Sequence, residues 1–253
     1  MTSDMLRAGS RRVLTAAALL CAPAALQAQA LPAAADLMAA YTQAVGGEAA
    51  WSKLQGMHTT GSYTVPAMGM SAEFNVWNAR PAMMLLIINI PGMGEMRQGY
   101  DGTTAWAVDP MQGARVLSGS ELTATQDQAG FDSSLRLIKN FKSAETVEKT
   151  TLGGHECYKV KLVWKSGRET YDCYSTADGM LVAQVAVQES PMGTVEATTT
   201  LSEYKAFGDI KLPTKSNISM MGMEQVLTIT GVEFTAVEES RFQLPPEVKA
   251  LVK

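Results

Sequence analysis

The sequence predicts an α+β domain in which a strongly curved antiparallel sheet wraps around helices. Three observations carry that prediction. From residue 57 onward, apolar–polar alternation between Gly, Pro, Asp and Asn turns marks one strand after another. Consecutive strands joined by short turns make a meander rather than βαβ units. Helical patterns occur only near the start and in the middle of the chain, and both need a sheet to pack on.

The opening residues read as an export signal. Arg7, Arg11 and Arg12 form a basic n-region, "VLTAAALLCAPAAL" (13–26) an apolar h-region, and "AQA" (28–30) a small-residue cleavage site. Residues 1–30 are expected to be a cleaved signal peptide and 31–253 a single domain, because no repeat or low-complexity linker divides them. "SRRVLT" (10–15) keeps the twin-arginine route open beside the general secretory one, and periplasmic localisation is expected from either. Cys21 would suit a lipid anchor, but Leu20 stands before it where such signals need a small residue.

The mature chain should begin with a helix over 32–45, its stripe formed by Leu37, Tyr41 and Ala44 and its end marked by Gly46-Gly47. "EAAWSKLQG" (48–56) adds a second short helical turn. Strands are expected at 57–65, 71–79, 82–90, 95–100, 103–108 and 113–117. In the interruption at 119–141, "SELTATQDQ" and "DSSLRLIKNF" read as helices, with Ser120 and Asp132 as N-caps. Strands resume at 145–151, 156–164, 169–175, 180–188, 193–204, 209–219 and 223–233.

Composition narrows the function. A chain of 253 residues, 46% hydrophobic and 18% charged, is globular rather than disordered. Its formal charge of −4 becomes more negative when Arg7, Arg11, Arg12 and Asp4 leave with the signal. That balance argues against nucleic acid and anionic membrane surfaces as partners. Outside the signal, no apolar run approaches the roughly 20 residues of a membrane helix. The two histidines, His58 and His155, sit in no recognisable motif, and G-x-S-x-G, H-E-x-x-H, P-loop and dinucleotide-binding patterns do not occur. Asp101 and Asp178 precede glycine and read as turn residues. The expectation is a non-catalytic protein with no cofactor and no metal.

Cys157 and Cys173 remain after the signal, and two thiols in an oxidising compartment usually pair. They lie on the arms of a hairpin around "KSG". A two-residue loop would put them on opposite faces, whereas a three-residue loop with a bulge at Gly167 puts them on one face, diagonally related. A disulfide there would contribute about 3 kcal/mol; two free buried thiols are the alternative. The methionines cluster as "MGM" (68–70), "MM" (83–84), "MGEM" (93–96) and "MMGM" (220–223). Thioethers suit Cu(I), but no His or Cys reinforces these clusters. Methionine also serves surfaces that adapt to variable apolar partners, and core packing accounts for any single one.

Residues 78–96, "NARPAMMLLIINIPGMGEM", hold the longest apolar run of the mature chain. By strand parity, one face collects Phe74, Val76, Asn78, Arg80, Met84, Leu86, Ile88 and Ile90, and the other Asn75, Trp77, Met83, Leu85, Ile87 and Asn89. A strand apolar on both faces is covered on both. Arg80, just before Pro81, falls at the mouth of any cavity. Snorkelling or a carboxylate partner explains it, or its donors bind backbone carbonyls of a covering segment.

"FNVWNARPAMML" followed by "GYDGTTAWAVDPMQGARV", with "RFQLPPEV" (241–248) near the end, resembles the LolA-like periplasmic lipoprotein-carrier family. The order and spacing of an Arg-Pro strand end, an apolar strand, an Asp-Gly hairpin with tryptophan and a Pro-Pro closing segment carry the likeness. The resemblance implies an open half-barrel of about eleven strands, with helices forming a lid over an apolar cavity. It implies that Arg80 holds the lid through hydrogen bonds to lid carbonyls and that Trp106 matches the hairpin tryptophan. Val76, Arg80, Met84, Leu86, Ile88 and Trp106 become the expected ligand-binding residues. Met84 and Leu86 replace aromatic side chains of the carrier, which implies a related but different apolar ligand.

The expected function is a periplasmic, monomeric carrier for lipoprotein acyl chains or another lipid, delivering to a membrane transporter or an outer-membrane acceptor. The alternatives are a lipid- or lipoprotein-sensing adaptor working through a protein partner, and a Met-rich copper-binding protein.

Overall fold

The computed structural model describes residues 30–190 and 193–252; the expected signal peptide, up to residue 29, lies outside the described residues. Two helices open the domain, α1 (Ala34–Ala44) and α2 (Gly47–Trp51). Six strands follow: β1 (Gly56–Val65), β2 (Met70–Ala79), β3 (Met83–Ile90), β4 (Gly94–Tyr100), β5 (Ala105–Asp109) and β6 (Gly113–Val116). After α3 (Gly119–Ala129) come two single 3-10 turns, Phe131–Leu135 and Ile138–Asn140. The second half is all strand: β7 (Phe141–Leu152), β8 (His155–Trp164), β9 (Glu169–Ser175), β10 (Leu181–Ser190), β11 (Gly193–Phe207), β12 (Ile210–Met220) and β13 (Met223–Glu233). A 3-10 turn, Glu239–Phe242, and α4 (Pro246–Lys249) complete the described chain.

All strands join one antiparallel sheet in the order β6-β5-β4-β3-β2-β1-β13-β12-β11-β10-β9-β8-β7. The sheet has 13 strands rather than the expected eleven or so, because every marked run pairs, including the four-residue β6 and the long outer β7. It is open, with β6 and β7 as its edges. Its curvature follows from contacts of α3. Thr125 accepts from Gln98 on β4 at 3.0 Å, and Asp127, two residues on, accepts from Arg168 beside β9 at 2.9 Å. Those strands are eight places apart, about 38 Å along a flat sheet at the usual inter-strand spacing. Only a sheet curled round α3 brings both to one helix.

One core lies between the sheet and α1, α2 and the 3-10 turns, where Met38, Tyr41, Trp51, Phe131, Leu135 and Leu162 meet. The inward stripe of α1 is Ala34, Met38, Tyr41 and Val45 rather than Leu37, Tyr41 and Ala44. The i, i+4, i+7, i+11 spacing is equally helical, and docking against the sheet selects the register. Thr42 Oγ1 lies 2.6 Å from the Leu135 carbonyl and ties α1 to the first 3-10 turn.

Residues 131–140 form two short turns instead of the expected helix, since Phe131, Leu135, Leu137 and Phe141 are all drawn into the core. Neither expected N-cap holds. Ser118 occupies that position in α3 without a side-chain bond, Ser120 lies inside the first turn, and Asp132 is committed to Arg80.

The opposite face of β2–β6 is covered by the C-terminal segment. Phe242 and Val248 bury against Ala79, Leu85 and Trp106. Pro246 begins α4, where its missing N–H costs nothing. The apolar run is therefore sandwiched, as its two-sided hydrophobicity requires.

Cys157 and Cys173 are disulfide-bonded, with Cα atoms 5.5 Å apart. Cys157 faces Ser175 and Cys173 faces Lys159, the diagonal relation that a three-residue loop produces. Trp164 N–H donates to Arg168 O, and Gly167, at φ +96°, donates to Trp164 O, so the loop is Lys165-Ser166-Gly167.

Candidate functional site

The register of β2 on β3 pairs Phe74 with Ile88, Val76 with Leu86 and Asn78 with Met84. Directly paired residues point to one face, so Val76, Met84, Leu86 and Ile88 share the concave surface. The helical lid covers part of it. Met84 is buried with Ala129 of α3, Tyr100 and Leu117, while Val76 and Leu122 pack at the margin. Leu86 and Ile88 lie beyond the lid and are half-buried.

Pairing across β1, β13 and β12 extends this face through Tyr63, Leu227, Ile229, Ile218 and Met220, all half-buried. An apolar strip therefore runs across neighbouring strands from beneath the lid into the open trough. Contiguous exposed apolar surface of this kind marks a binding surface more often than an idle one.

Trp106 does not belong to that strip. It pairs with Gly99, which pairs in turn with Leu85, and this places it on the convex face under Phe242 and Val248. A Cβ at residue 99 would meet the indole at 2.5 Å, so the glycine makes room for it. Trp106 is 2% exposed and anchors the C-terminal segment. The parity of β5 relative to β3 depends on two intervening turns, which the motif alone does not fix.

Arg80, at the end of β2, reaches into the lid. Its Nε donates to Leu54 O at 2.8 Å, Nη2 to Trp51 O at 3.0 Å and Nη1 to Asp132 Oδ2 at 2.8 Å. Its guanidinium carbon lies 4.7 Å from the centre of the Phe131 ring. The bonds to lid carbonyls and a carboxylate partner, offered as alternatives by the sequence, are both present. A planar fork with five donors suits this mixed set, which a lysine could not satisfy.

Two further Arg–Asp pairs fasten lid to sheet. Arg136, which follows the first 3-10 turn, has Nε 2.9 Å from Asp172 Oδ2 on β9. The alignment is off the hydrogen-bond direction, so the pair is held by charge rather than by that N–H. Asp172 is 1% exposed and also accepts from Gln184 at 3.1 Å and from the Tyr174 hydroxyl at 3.3 Å. Burial works against the Arg136 charge, but the Asp172 carboxylate beside it leaves its pKa above the ordinary value. Burial, with the Asp172 charge second, pushes the Tyr174 phenol well up.

The third pair is Arg168 with Asp127 of α3. Both arginines stack on Trp164, at 5.5 and 5.1 Å from its ring, and the indole N–H donates to Thr170 at 2.9 Å. Sequence reading missed this polar network. Its signal was Asp172 in "TYDCY", a charge with the same parity as the core residue Tyr174 and opposite to Cys173.

Between these pairs and the sheet lies a pocket of about 410 Å³, lined by Ser134, Thr199, Gln184 and Ile218 among others. Apart from Met83 and Met84, which open β3, the methionines cluster away from this pocket. Met68 and Met70 flank the β1–β2 turn, Met93 and Met96 the β3–β4 turn, Met111 the β5–β6 turn, and Met220, Met221 and Met223 the β12–β13 turn. Antiparallel order puts these four turns at one end of the sheet.

The open, curled antiparallel sheet with helices packed against it is a fold that solved structures share. The chain is similar to a LolA superfamily protein from Nitrosomonas europaea (TM-score 0.57, 11% identity), covering 85% of this chain and 99% of that one. It is similar to a DUF1329 family protein from Desulfovibrio piger (TM-score 0.56, 12% identity), covering 83% and 95%. It is also similar to a domain described as an outer membrane lipoprotein-sorting protein from Vibrio parahaemolyticus (TM-score 0.50, 14% identity), covering 81% and 94%. No family model matches the sequence, and no curated protein matches it. At these identities the likeness shows the fold: a LolA-like half-barrel. Among the described residues, no helix is long and apolar enough to cross a membrane.

Proposed function

We propose that this chain is a non-catalytic, exported carrier that holds the acyl chain of a lipoprotein or another lipid in the trough of its half-barrel. The single observation that supports this most is the apolar strip of Val76, Met84, Leu86, Ile88, Ile218 and Ile229, which starts under the lid and stays half-exposed beyond it. Each methylene withdrawn from water there would contribute about 0.8 kcal/mol. The named LolA-like and lipoprotein-sorting neighbours, with the shared fold, support the same class of ligand. Arg80 would act as the clasp, because opening the lid separates it from Leu54, Trp51 and Asp132 together. Periplasmic localisation accords with the signal-like leader and with the disulfide, which needs an oxidising compartment.

Native mass spectrometry of protein purified from its own host, paired with uptake of the headless apolar dye N-phenyl-1-naphthylamine, tests the reading. A co-purifying lipid, or saturable dye uptake that an acyl lipid displaces, is expected. Protein that carries no lipid and takes up no dye would contradict carriage and favour the adaptor reading.

A further inference from the structure

The polar pocket beneath the lid adjoins the apolar trough, and Ile218 lines both. We propose that this pocket seats the head group of the carried amphiphile, and that the head is uncharged and rich in hydrogen-bonding groups. The inference rests on the carriage reading and names the ligand class for it.

Charge balance excludes an ionic head. The pocket holds two arginines and two aspartates, and each is already paired: Arg136 with Asp172 and Arg168 with Asp127, both at 2.9 Å. The remaining oxygen of Asp172 accepts from Gln184, and one face of each guanidinium lies towards the Trp164 ring. A carboxylate or phosphate would crowd the aspartate that already neutralises its arginine, or displace it. An ammonium head would have to displace an arginine. Either outcome leaves an uncompensated charge beside groups no more than 15% exposed, which is costly.

Apart from guanidinium N–H groups of those paired arginines, what the pocket still offers is neutral. Among the described residues, the side chains of Gln128, Ser134 and Thr199 line it and make no hydrogen bond within the protein. They supply both donors and acceptors, the complement of hydroxyls and amides. At about 30 Å³ per water, the space corresponds to roughly a dozen waters, enough for a glycerol or one sugar ring.

The test uses three probes with one acyl chain, a monoacylglycerol, a fatty acid and an alkylamine, competed against N-phenyl-1-naphthylamine at pH 7 on the full mature protein. The monoacylglycerol is expected to bind at least tenfold more tightly than either charged analogue. Thr199→Val and Ser134→Ala together should reduce that advantage several-fold while leaving dye uptake unchanged. Equal or tighter binding of the fatty acid or amine overturns the inference, as does an advantage that survives both substitutions. If the dye binds but the heads are not ranked, only this inference falls. If neither dye nor any amphiphile binds, carriage falls and this inference with it.

Discussion

The two ends of the sheet are built on different physics. At one end, α1, α2 and the 3-10 turns bury a mixed core, and Arg80 clasps the lid. At the other, four hairpin turns carry methionines, one of them folded as the 3-10 turn Pro66–Met68. Met111 is 84% exposed, Met68 65% and Met221 60%. Both ends are rich in apolar residues, so hydrophobicity does not separate them. Whether polar bonds lock those residues against a second layer does. The first end holds the fold, and the second leaves the trough open.

This contrast can be broken from either side. The largest effect should come from Asp172→Ala, which strands Arg136 and removes the acceptor of Gln184 and Tyr174. Removing one partner of a buried pair costs about 3–5 kcal/mol, so chemical denaturation should report a loss of that order. Arg80→Leu comes next. Its side chain is partly exposed, so the stability loss should be about 1–2 kcal/mol. Release of N-phenyl-1-naphthylamine, followed by stopped flow, should speed up several-fold; unchanged release would remove the gating role from Arg80.

At the open end the signs differ. Met221 and Gly222 both have positive φ, 53° and 77°, in a two-residue hairpin turn that favours Asn-Gly. Met221→Asn should therefore raise stability by about 0.5 kcal/mol, visible as a small rise in thermal midpoint. The gentlest probe is pH. Tyr41, Tyr174 and Tyr204 near the clasped end have phenol pKa values raised above 10.0, burial being the first cause in each. The folded state then keeps protons that the unfolded state loses, so this contribution is intact below pH 10 and declines as pH rises above it. A flat stability profile above that pH would mean that these phenols gain no protection from folding.

The sequence made most of the sheet legible, because alternation and turn residues are local signals. Every strand it marks is present, and of the two loops left open around "KSG" the three-residue one, which puts Cys157 and Cys173 on one face, is the one formed. What stayed hidden depends on tertiary packing. The stripe of α1 was shifted by docking, residues 131–141 gave up helix to bury four large side chains, and Trp106 changed faces because parity does not pass through turns. The site divides the same way. Val76, Met84, Leu86 and Ile88 could be placed on one face by parity within a single hairpin. Arg136, Asp172 and Arg168 come together only when β9 curls back to meet the lid.

Leu86→Asp addresses the trough most directly. Leu86 is half-buried, beyond the lid and outside every clasp, so the variant should fold. Titrated with N-phenyl-1-naphthylamine beside the unaltered protein, it should lose at least tenfold in affinity while keeping its thermal midpoint within a few degrees. Undiminished dye affinity in a folded Leu86→Asp protein would mean that the concave apolar strip is not where an acyl ligand binds.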